Sequence, residues 1–301
     1  MNLGYACINL TLSKNNPKIT TNRGMVKRTF LNKGLKYVEE LVRHNIKDLL
    51  TILKWNLKNN IRFFRVSSDM FPWASHYDIK ELSNFSEIKS LLFDIGVFVR
   101  DNKIRLTFHP GPFNVLVSPN ELVVENTLKD LKIHGEIFDL MNLDRSPYNK
   151  INIHCNGVYG DKKSAMQRFC KNFTRLPESV KKRLTIENDD KESMYSVKDL
   201  MFIYEKIGIP IVFDYHHHKF CSGSLTEKEA LKLALSTWPK DIIPVVHYSE
   251  SKSIHENDQK IKPQAHSDYI KKIPNTYDMD IDIMVEAKAK ELSIIPFINS
   301  F

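Results

Sequence analysis

The stretch 151-INIHCNG-157 combines a short apolar run with a histidine, His154, at its end, and this arrangement recurs along the chain. LTFHPG at 106–111 has the same form, and LTIEND at 184–189 has a glutamate in place of the histidine. Nearly continuous apolar runs of this length are typical of parallel strands covered on both faces. The stretch therefore predicts a buried strand whose last residue carries a reactive or ligating group.

Eight runs of this kind alternate with longer amphipathic segments, the order expected for a parallel sheet with crossover helices. The predicted strands are 3–9, 61–67, 104–109, 149–155, 183–188, 210–215, 242–248 and 280–286. The predicted helices are 34–59, 88–101, 119–142, 162–175, 196–207 and 225–237. We therefore expect an α/β fold, a single (β/α)8 TIM-type barrel domain over residues 1–301, with its site at the C-terminal face of the strands.

Composition restricts the class of protein without identifying it. The chain has 301 residues, 42% of them hydrophobic, which suits a folded domain with an ample core. No apolar run reaches the roughly 20 residues of a membrane span, and the N-terminal residues lack the order of a signal peptide. We expect a soluble, intracellular protein, and a monomer by default.

Cysteine usage and charge add two weaker expectations. The four cysteines form no CxxC pair, which predicts free thiols rather than disulfides or a thiolate zinc site. The net charge of +8 and the pI of about 9.1 suit a polyanionic partner such as DNA. Biased codon usage that enriches Lys, Asn and Ile together would produce the same charge. The positive charge is therefore only supporting evidence for DNA as the partner.

From the third strand onward, every predicted strand ends in a group that can bind a metal. These groups are His109, His154, Glu187, Asp214 with His217, His247 and Glu286. A TIM barrel brings its strand ends to one mouth, so these side chains should meet there. A single histidine at a strand end is more often a packing residue. The whole set, however, would be costly to bury without a metal or mutual partners, and it predicts a metal centre.

The donor set restricts the kind of metal. Imidazole and carboxylate without thiolate favour Zn, Mn or Fe over Mg or Ca. The ligands exceed the needs of one tetrahedral ion, and a shared carboxylate such as Glu187 could bridge two ions, so two or three metals are expected. Such a centre would bind a phosphodiester and activate water without a protein nucleophile. Within the run 216–218, alternation along a continued strand would prevent all three histidines from reaching the metals, and we favour His217 as the ligand.

Seven motifs resemble those of the UV-damage endonucleases, a family of the xylose-isomerase-like TIM-barrel superfamily, and they occur in the family's order over residues 3–291. They are LGYACINLTL at 3–12, TTNR at 20–23, WASH at 73–76, HPG at 109–111, IEND at 186–189, FDYHHH at 213–218 and VEAKAKE at 285–291. The resemblance implies a hydrolase with a cluster of Mn ions, or else Zn, Fe or Mg. Its reaction would be cleavage of damaged double-stranded DNA on the 5′ side of a lesion to start excision repair. Pyrimidine photoproducts such as cyclobutane dimers, and abasic sites, would be its substrates.

The resemblance also implies roles for individual residues. Metal ligands are implied at His109, His154, Glu187, Asp214, His217, His247, His266 and Glu286. Glu187 would be the bridging, catalytically essential ligand, and His76 is implied as a catalytic residue beside the cluster. Tyr5 and Asn9 match residues near the DNA-facing mouth.

Two positions depart from the family's pattern. Pro112-Phe113 stands where the family usually has a Gln-Tyr pair that probes the damaged duplex. Phe113 could still stack on a base or wedge between bases, although ordinary loop packing is an equally good interpretation. Val245 stands where the family often has a lysine close to the metals. The preferred lesion and the occupancy of the metal site are therefore left open.

Three alternative functions remain at this point. An abasic-site endonuclease of the same superfamily needs the same metals and a less demanding damage probe, which suits Pro112-Phe113. A sugar isomerase would use the same barrel with a closed substrate pocket, and the basic charge and the motif order count against it. A catalytically silent DNA-binding protein would lack metal ligands, whereas this sequence retains them.

Overall fold

Eight parallel strands form one sheet in the order β3-β2-β1-β8-β7-β6-β5-β4 in the computed structural model, which describes residues 1–300. The strands are β1 (Leu3–Ala6), β2 (Phe63–Arg65), β3 (Arg105–Thr107), β4 (Ile151–His154), β5 (Leu184–Glu187), β6 (Ile211–Asp214), β7 (Val245–Tyr248) and β8 (Asp282–Val285). All eight predicted strands are confirmed, with shorter bounds because only the paired central residues count as strand.

The sheet closes at one point between its first and last strands. Phe108, just after β3, pairs in parallel with Ile151 of β4. Its amide donates to the Lys150 carbonyl at 2.9 Å, and its carbonyl accepts from the Asn152 amide at 2.9 Å. Closure removes the exposed edge of the sheet, and the predicted TIM-type barrel is confirmed.

Helices follow most strands and pack around the barrel. They are α1 (Leu10–Ser13), α2 (Lys27–Lys58), α3 (Phe85–Asp101), α4 (Glu121–Leu140), α5 (Lys162–Phe173), α6 (Glu178–Lys181), α7 (Val197–Ile207), α8 (Tyr215–His218), α9 (Glu227–Leu235), α10 (Lys252–Glu256) and α11 (Glu291–Ile294). All six predicted helices are present. In α2 the helical path breaks at Gly34, whose φ of 59° and ψ of −157° are not helical, so the predicted start at this residue is the start of the second segment.

Local sequence signals explain both ends of α7. Ser196 caps α7 and forms a capping box with Asp199. Gly208 ends the same helix with a φ of 72°, a conformation that glycine adopts without strain. α4 starts two residues later than the predicted residue 119, because the Asn120 side chain caps it by accepting from the Leu122 amide.

Alternate strand residues point into the barrel, and this parity places the ligating groups. Inside the barrel, a small buried cluster contains Ala6, Phe63, Val212, Trp238, Val245 and Met284, separate from the large core between sheet and helices. Asp214, His247 and Glu286 each stand two residues after a member of this cluster. Since side chains alternate between faces with a period of two, these three point inward, nearer the C-terminal mouth.

A buried ion pair fills the other end of the barrel. Arg105 Nη1 lies 3.0 Å from Asp282 Oδ2, and both side chains are almost inaccessible. The Arg105 guanidinium also donates to the carbonyls of Tyr148 and Ile243 at 2.8 Å. The N-terminal end is therefore plugged, and ligands can enter only from the mouth.

Two further expectations concern cysteines and membranes. All four cysteines are free thiols, as predicted, and Cys155 and Cys221 are buried. Within residues 1–300, no helix is both long enough and apolar enough to cross a membrane.

Candidate metal centre

Glu187, the last residue of β5, lies at the middle of the barrel mouth and is fully buried. Its Oε2 lies 3.2 Å from His109 Nε2 and 3.6 Å from His154 Nε2. The same oxygen lies 3.0 Å from His247 Nδ1 and accepts a hydrogen bond from the Asn152 amide on β4. One carboxylate is thus shared by side chains from β4 and β7 and from the end of β3.

Asp214 and His217 complete the β6 side of the mouth. The chain turns into α8 directly after Asp214, whose Oδ1 caps the turn by accepting from the His217 amide at 2.8 Å. The expected strand alternation over residues 216–218 is therefore wrong, because these residues are helical. His217 is nevertheless the histidine that faces the centre, with Nδ1 3.5 Å from Glu187 Oε1.

Glu286 and His266 occupy the β8 side. Glu286 Oε1 lies 3.3 Å from His247 Nδ1 and is also paired with Arg65, which ends β2. His266, on the long loop after β7, donates from Nδ1 to the Glu286 carbonyl at 3.0 Å. The predicted ligand residues from six strand ends and one loop therefore converge on one mouth.

Three histidines are held in the tautomer that a metal requires. His109, His217 and His266 each have Nδ1 within 3.2 Å of a backbone carbonyl. A carbonyl only accepts, so Nδ1 carries the proton and the Nε2 lone pair is free to bind a metal. The Nδ1 of His154 faces a carboxylate instead of a carbonyl, with Asp189 Oδ1 3.1 Å away.

Buried oxygens without donors give a second, independent indication. Glu187 Oε1 and Asp214 Oδ2 are inaccessible to solvent and accept no hydrogen bond from any residue that the structure describes. Leaving such acceptors unpaired is unfavourable, whereas a cation between them would satisfy both. Donor chemistry and geometry therefore fit a metal.

The ligand atoms group into three overlapping sets, each with its atoms within 4.8 Å of one another. The sets are His109 with His247 and Glu286, His109 with His154 and Glu187, and Glu187 with Asp214 and His217. Glu187 and His109 each belong to two sets, as expected for neighbouring ions that share ligands.

The charges within the centre are unevenly distributed. Burial opposes protonation of His154, but the Glu187 and Asp189 carboxylates outweigh it and raise its pKa to about 10. For His109 burial dominates and lowers the pKa to about 4. Burial alone would raise the pKa of Glu187, yet the neighbouring His247 and His154 hold it well below its usual value. Glu187 is therefore an anion throughout the neutral pH range.

Comparison with known proteins identifies the family of the chain. The family model described as UV-endonuclease UvdE matches residues 1–300. The chain belongs to the UvdE family. It is 37% identical to the UV DNA damage endonuclease of Clostridium perfringens, covering 100% of this chain and 70% of that protein. It is also 37% identical to the UV-damage endonuclease of Schizosaccharomyces pombe, but spans only 49% of that longer protein.

Solved structures agree with this family assignment. The crystal structure of SacUVDE superposes with a TM-score of 0.84 at 33% identity, covering 100% of this chain and 97% of that one. A D-psicose 3-epimerase from Clostridium cellulolyticum superposes with a TM-score of 0.52 at 10% identity. The second match shows a shared barrel fold and nothing about the reaction.

Three residues that the resemblance singled out belong to none of the three ligand sets. His76 is exposed and packs edge-on against Trp73 and Phe30. Tyr5 and Asn9, which the resemblance implies near the DNA-facing mouth, are both fully buried. Tyr5 donates to Asn56 Oδ1 at 2.6 Å and accepts from Asn9 at 2.9 Å, so a hydrogen-bonded chain joins the residues after β1 to α2.

Sequence reasoning missed three charged residues beside the centre. Arg65 pairs with Glu286, and Asp189 pairs with His154. Lys150 is fully buried, and its Nζ lies 3.0 Å from His247 Nε2, so an amine lies beside the centre even though Val245 replaces the family's lysine. The sequence signal for these residues is a charged side chain inside or next to an otherwise apolar strand.

Proposed function

We propose that this chain is a metal-dependent endonuclease that hydrolyses a phosphodiester on the 5′ side of a UV lesion in double-stranded DNA. The carrying observation is the buried Glu187 carboxylate at the barrel mouth, which lies within 3.6 Å of ring nitrogens from His109, His154, His247 and His217. Membership of the UvdE family supports DNA as the substrate, and the names of the relatives support UV damage as the lesion.

Two or three divalent ions, with Mn foremost, would be held by the eight residues named above. Bound there, they would supply Lewis-acid stabilisation of the phosphate oxygens and a water of lowered pKa. The protein's own part is to orient the ligands. Asn152 donates to Glu187 while accepting from Thr185 at 2.8 Å, and this chain of hydrogen bonds fixes the carboxylate plane.

Arg65 gives the mouth a permanent positive charge. Burial would lower its pKa, but the Glu286 carboxylate more than compensates and keeps the guanidinium protonated. A fixed cation beside the centre favours the approach of a phosphodiester and the charge that develops on it during hydrolysis.

Phe113 is the proposed damage probe. It is 88% exposed on the loop after β3, four residues beyond His109. The loop beneath it is ordered, because the Asn114 amide donates to the Gly111 carbonyl at 3.1 Å and to Asp130 at 2.8 Å. An exposed aromatic ring on an anchored loop can stack on any base that a lesion has loosened, since every base has a π-face.

The test is incision of matched duplexes carrying a cyclobutane pyrimidine dimer, an abasic site or no lesion, with Mn and after chelation. Metal-dependent incision 5′ to the dimer is the expected result. Incision at the abasic site alone would establish the abasic-site endonuclease instead, a function that Pro112-Phe113 accommodates because no side-chain amide is available to hydrogen-bond a photoproduct. An absence of incision on all three duplexes would refute both.

A further inference from the structure

The loop after β4 holds an exposed tyrosine in a strained backbone. Within residues 156–160, Asn156, Tyr159 and Gly160 have φ values of 63°, 51° and 79°. Asparagine and glycine tolerate this left-handed region, whereas a bulky aromatic residue rarely adopts it. Strain of this kind persists only where surrounding contacts impose it, and it concentrates at functional sites.

The ring of Tyr159 is held from two sides although the residue is 50% exposed. It stands over Gly157 so closely that a Cβ there would lie 2.9 Å from its Cε2. The guanidinium of Arg168 lies 5.7 Å from the ring centroid and is itself fixed, because its Nε donates to the Val117 carbonyl at 2.7 Å. The ring is therefore preorganised, with its outer face left to solvent.

The Tyr159 loop is tied to the Phe113 loop. The Asn156 side chain donates to the Asn114 carbonyl at 3.2 Å, and Arg168 joins α5 to Val117. The two loops follow β3 and β4, immediately beyond the candidate ligands His109 and His154. Two exposed aromatic residues, Phe113 and Tyr159, therefore lie beside the centre on two loops that are joined by hydrogen bonds. We call this part of the barrel mouth the aromatic rim.

We propose that Tyr159 is a second base-stacking residue, which together with Phe113 receives an unstacked nucleobase of the damaged duplex. The inference rests on the proposed function. A lesion weakens stacking locally, so a rigid aromatic surface gains most at damaged sites.

Single-turnover incision of a dimer-containing duplex by the Mn-loaded full chain tests this role, with 2-aminopurine placed opposite the lesion to report unstacking. Loss of one base-stacking contact by alanine substitution corresponds to roughly 5- to 100-fold in affinity. Tyr159→Ala should therefore raise the half-saturating protein concentration by about this factor and reduce the 2-aminopurine signal. Tyr159→Phe should retain most of both, because the ring remains.

Two further variants make the result specific. Gly157→Ala should also raise the half-saturating protein concentration and reduce the 2-aminopurine signal, because its methyl group displaces the Tyr159 ring without removing it. Phe93→Ala removes an aromatic side chain of similar exposure, 47%, on the outer helix α3 and should change nothing. If the unsubstituted chain incises the dimer and Tyr159→Ala matches it in both readouts, the stacking role is wrong while the proposed function stands. If the unsubstituted chain incises no damaged duplex, both are wrong.

Discussion

At the scale of the residue, the candidate centre depends on one buried anion. Glu187 is fully buried yet stays ionised because imidazole rings surround it. Removing one partner from a buried charged network leaves the other members uncompensated, which costs more than the lost contact itself. The centre should therefore respond to the charge of this side chain and not only to its shape.

Glu187→Gln preserves the shape and removes the charge. We expect metal retention to fall and incision to drop at least about 100-fold, since even residues that only support a metal ligand change affinity or activity 10- to 100-fold. Metal content per chain after gel filtration and the incision rate measure the two effects. Glu192→Gln, an exposed carboxylate in the same loop, is the matched control. Normal metal content and normal incision in Glu187→Gln would exclude the bridging role.

Phe113→Ala separates damage recognition from chemistry. The side chain is exposed and contributes little to the fold, so stability and metal content should not change. The preference for dimer-containing over intact duplex should fall by roughly 5- to 100-fold, the value of one stacking contact. Competition binding with the two duplexes measures this ratio. An unchanged ratio would assign the ring to ordinary loop packing.

At the scale of the element, the strands were predictable because each is a short apolar run that ends in a polar residue. Which face of the sheet each side chain points to was predictable only in part. The histidine run was assigned to a continued strand, but Asp214 caps a helical turn there. The hydroxyl of Tyr5 bonds to Asn56 on α2, a contact that the sequence pattern does not predict. Such contacts depend on which element packs beside the strand, and a periodic pattern does not contain that information.

Gly96 shows how closely two outer helices approach. A Cβ at this position would lie 1.6 Å from the carbonyl oxygen of Met141, which follows α4. Gly96→Ala should therefore separate α3 from α4 and destabilise the fold by about 3 kcal/mol, the upper part of the range for overpacking. The roughly 1 kcal/mol gained from alanine's higher helix propensity offsets only part of this.

The urea midpoint of Gly96→Ala measures the effect. Gly24→Ala is the control, because no atom lies within 4 Å of the added Cβ and its φ is not left-handed. Its midpoint should correspond to a change within about 0.5 kcal/mol. Equal midpoints for the two variants would mean that α3 and α4 can separate at little cost.

At the scale of the whole molecule, charge and an exposed aromatic ring contribute differently to the recognition of DNA. The chain carries a net charge of +8, and phosphate contacts by Lys and Arg release counterions without reading the lesion. The exposed ring of Phe113, by contrast, carries no charge. Affinity for any duplex and preference for a damaged one should therefore respond to different variables.

Salt is the variable that separates them. Raising the salt concentration from about 50 to about 200 mM should weaken binding to damaged and intact duplexes by the same factor, with a slope of about −0.9 in log affinity per phosphate contacted. The ratio of the two affinities should stay constant for the unsubstituted chain and should be lower at both salt concentrations for Phe113→Ala. Fluorescence anisotropy with the two duplexes at both salt concentrations gives the four affinities of each protein. A ratio that falls with salt would mean that the lesion is recognised through its displaced phosphates, and the aromatic rim would then serve only to hold the duplex against the mouth.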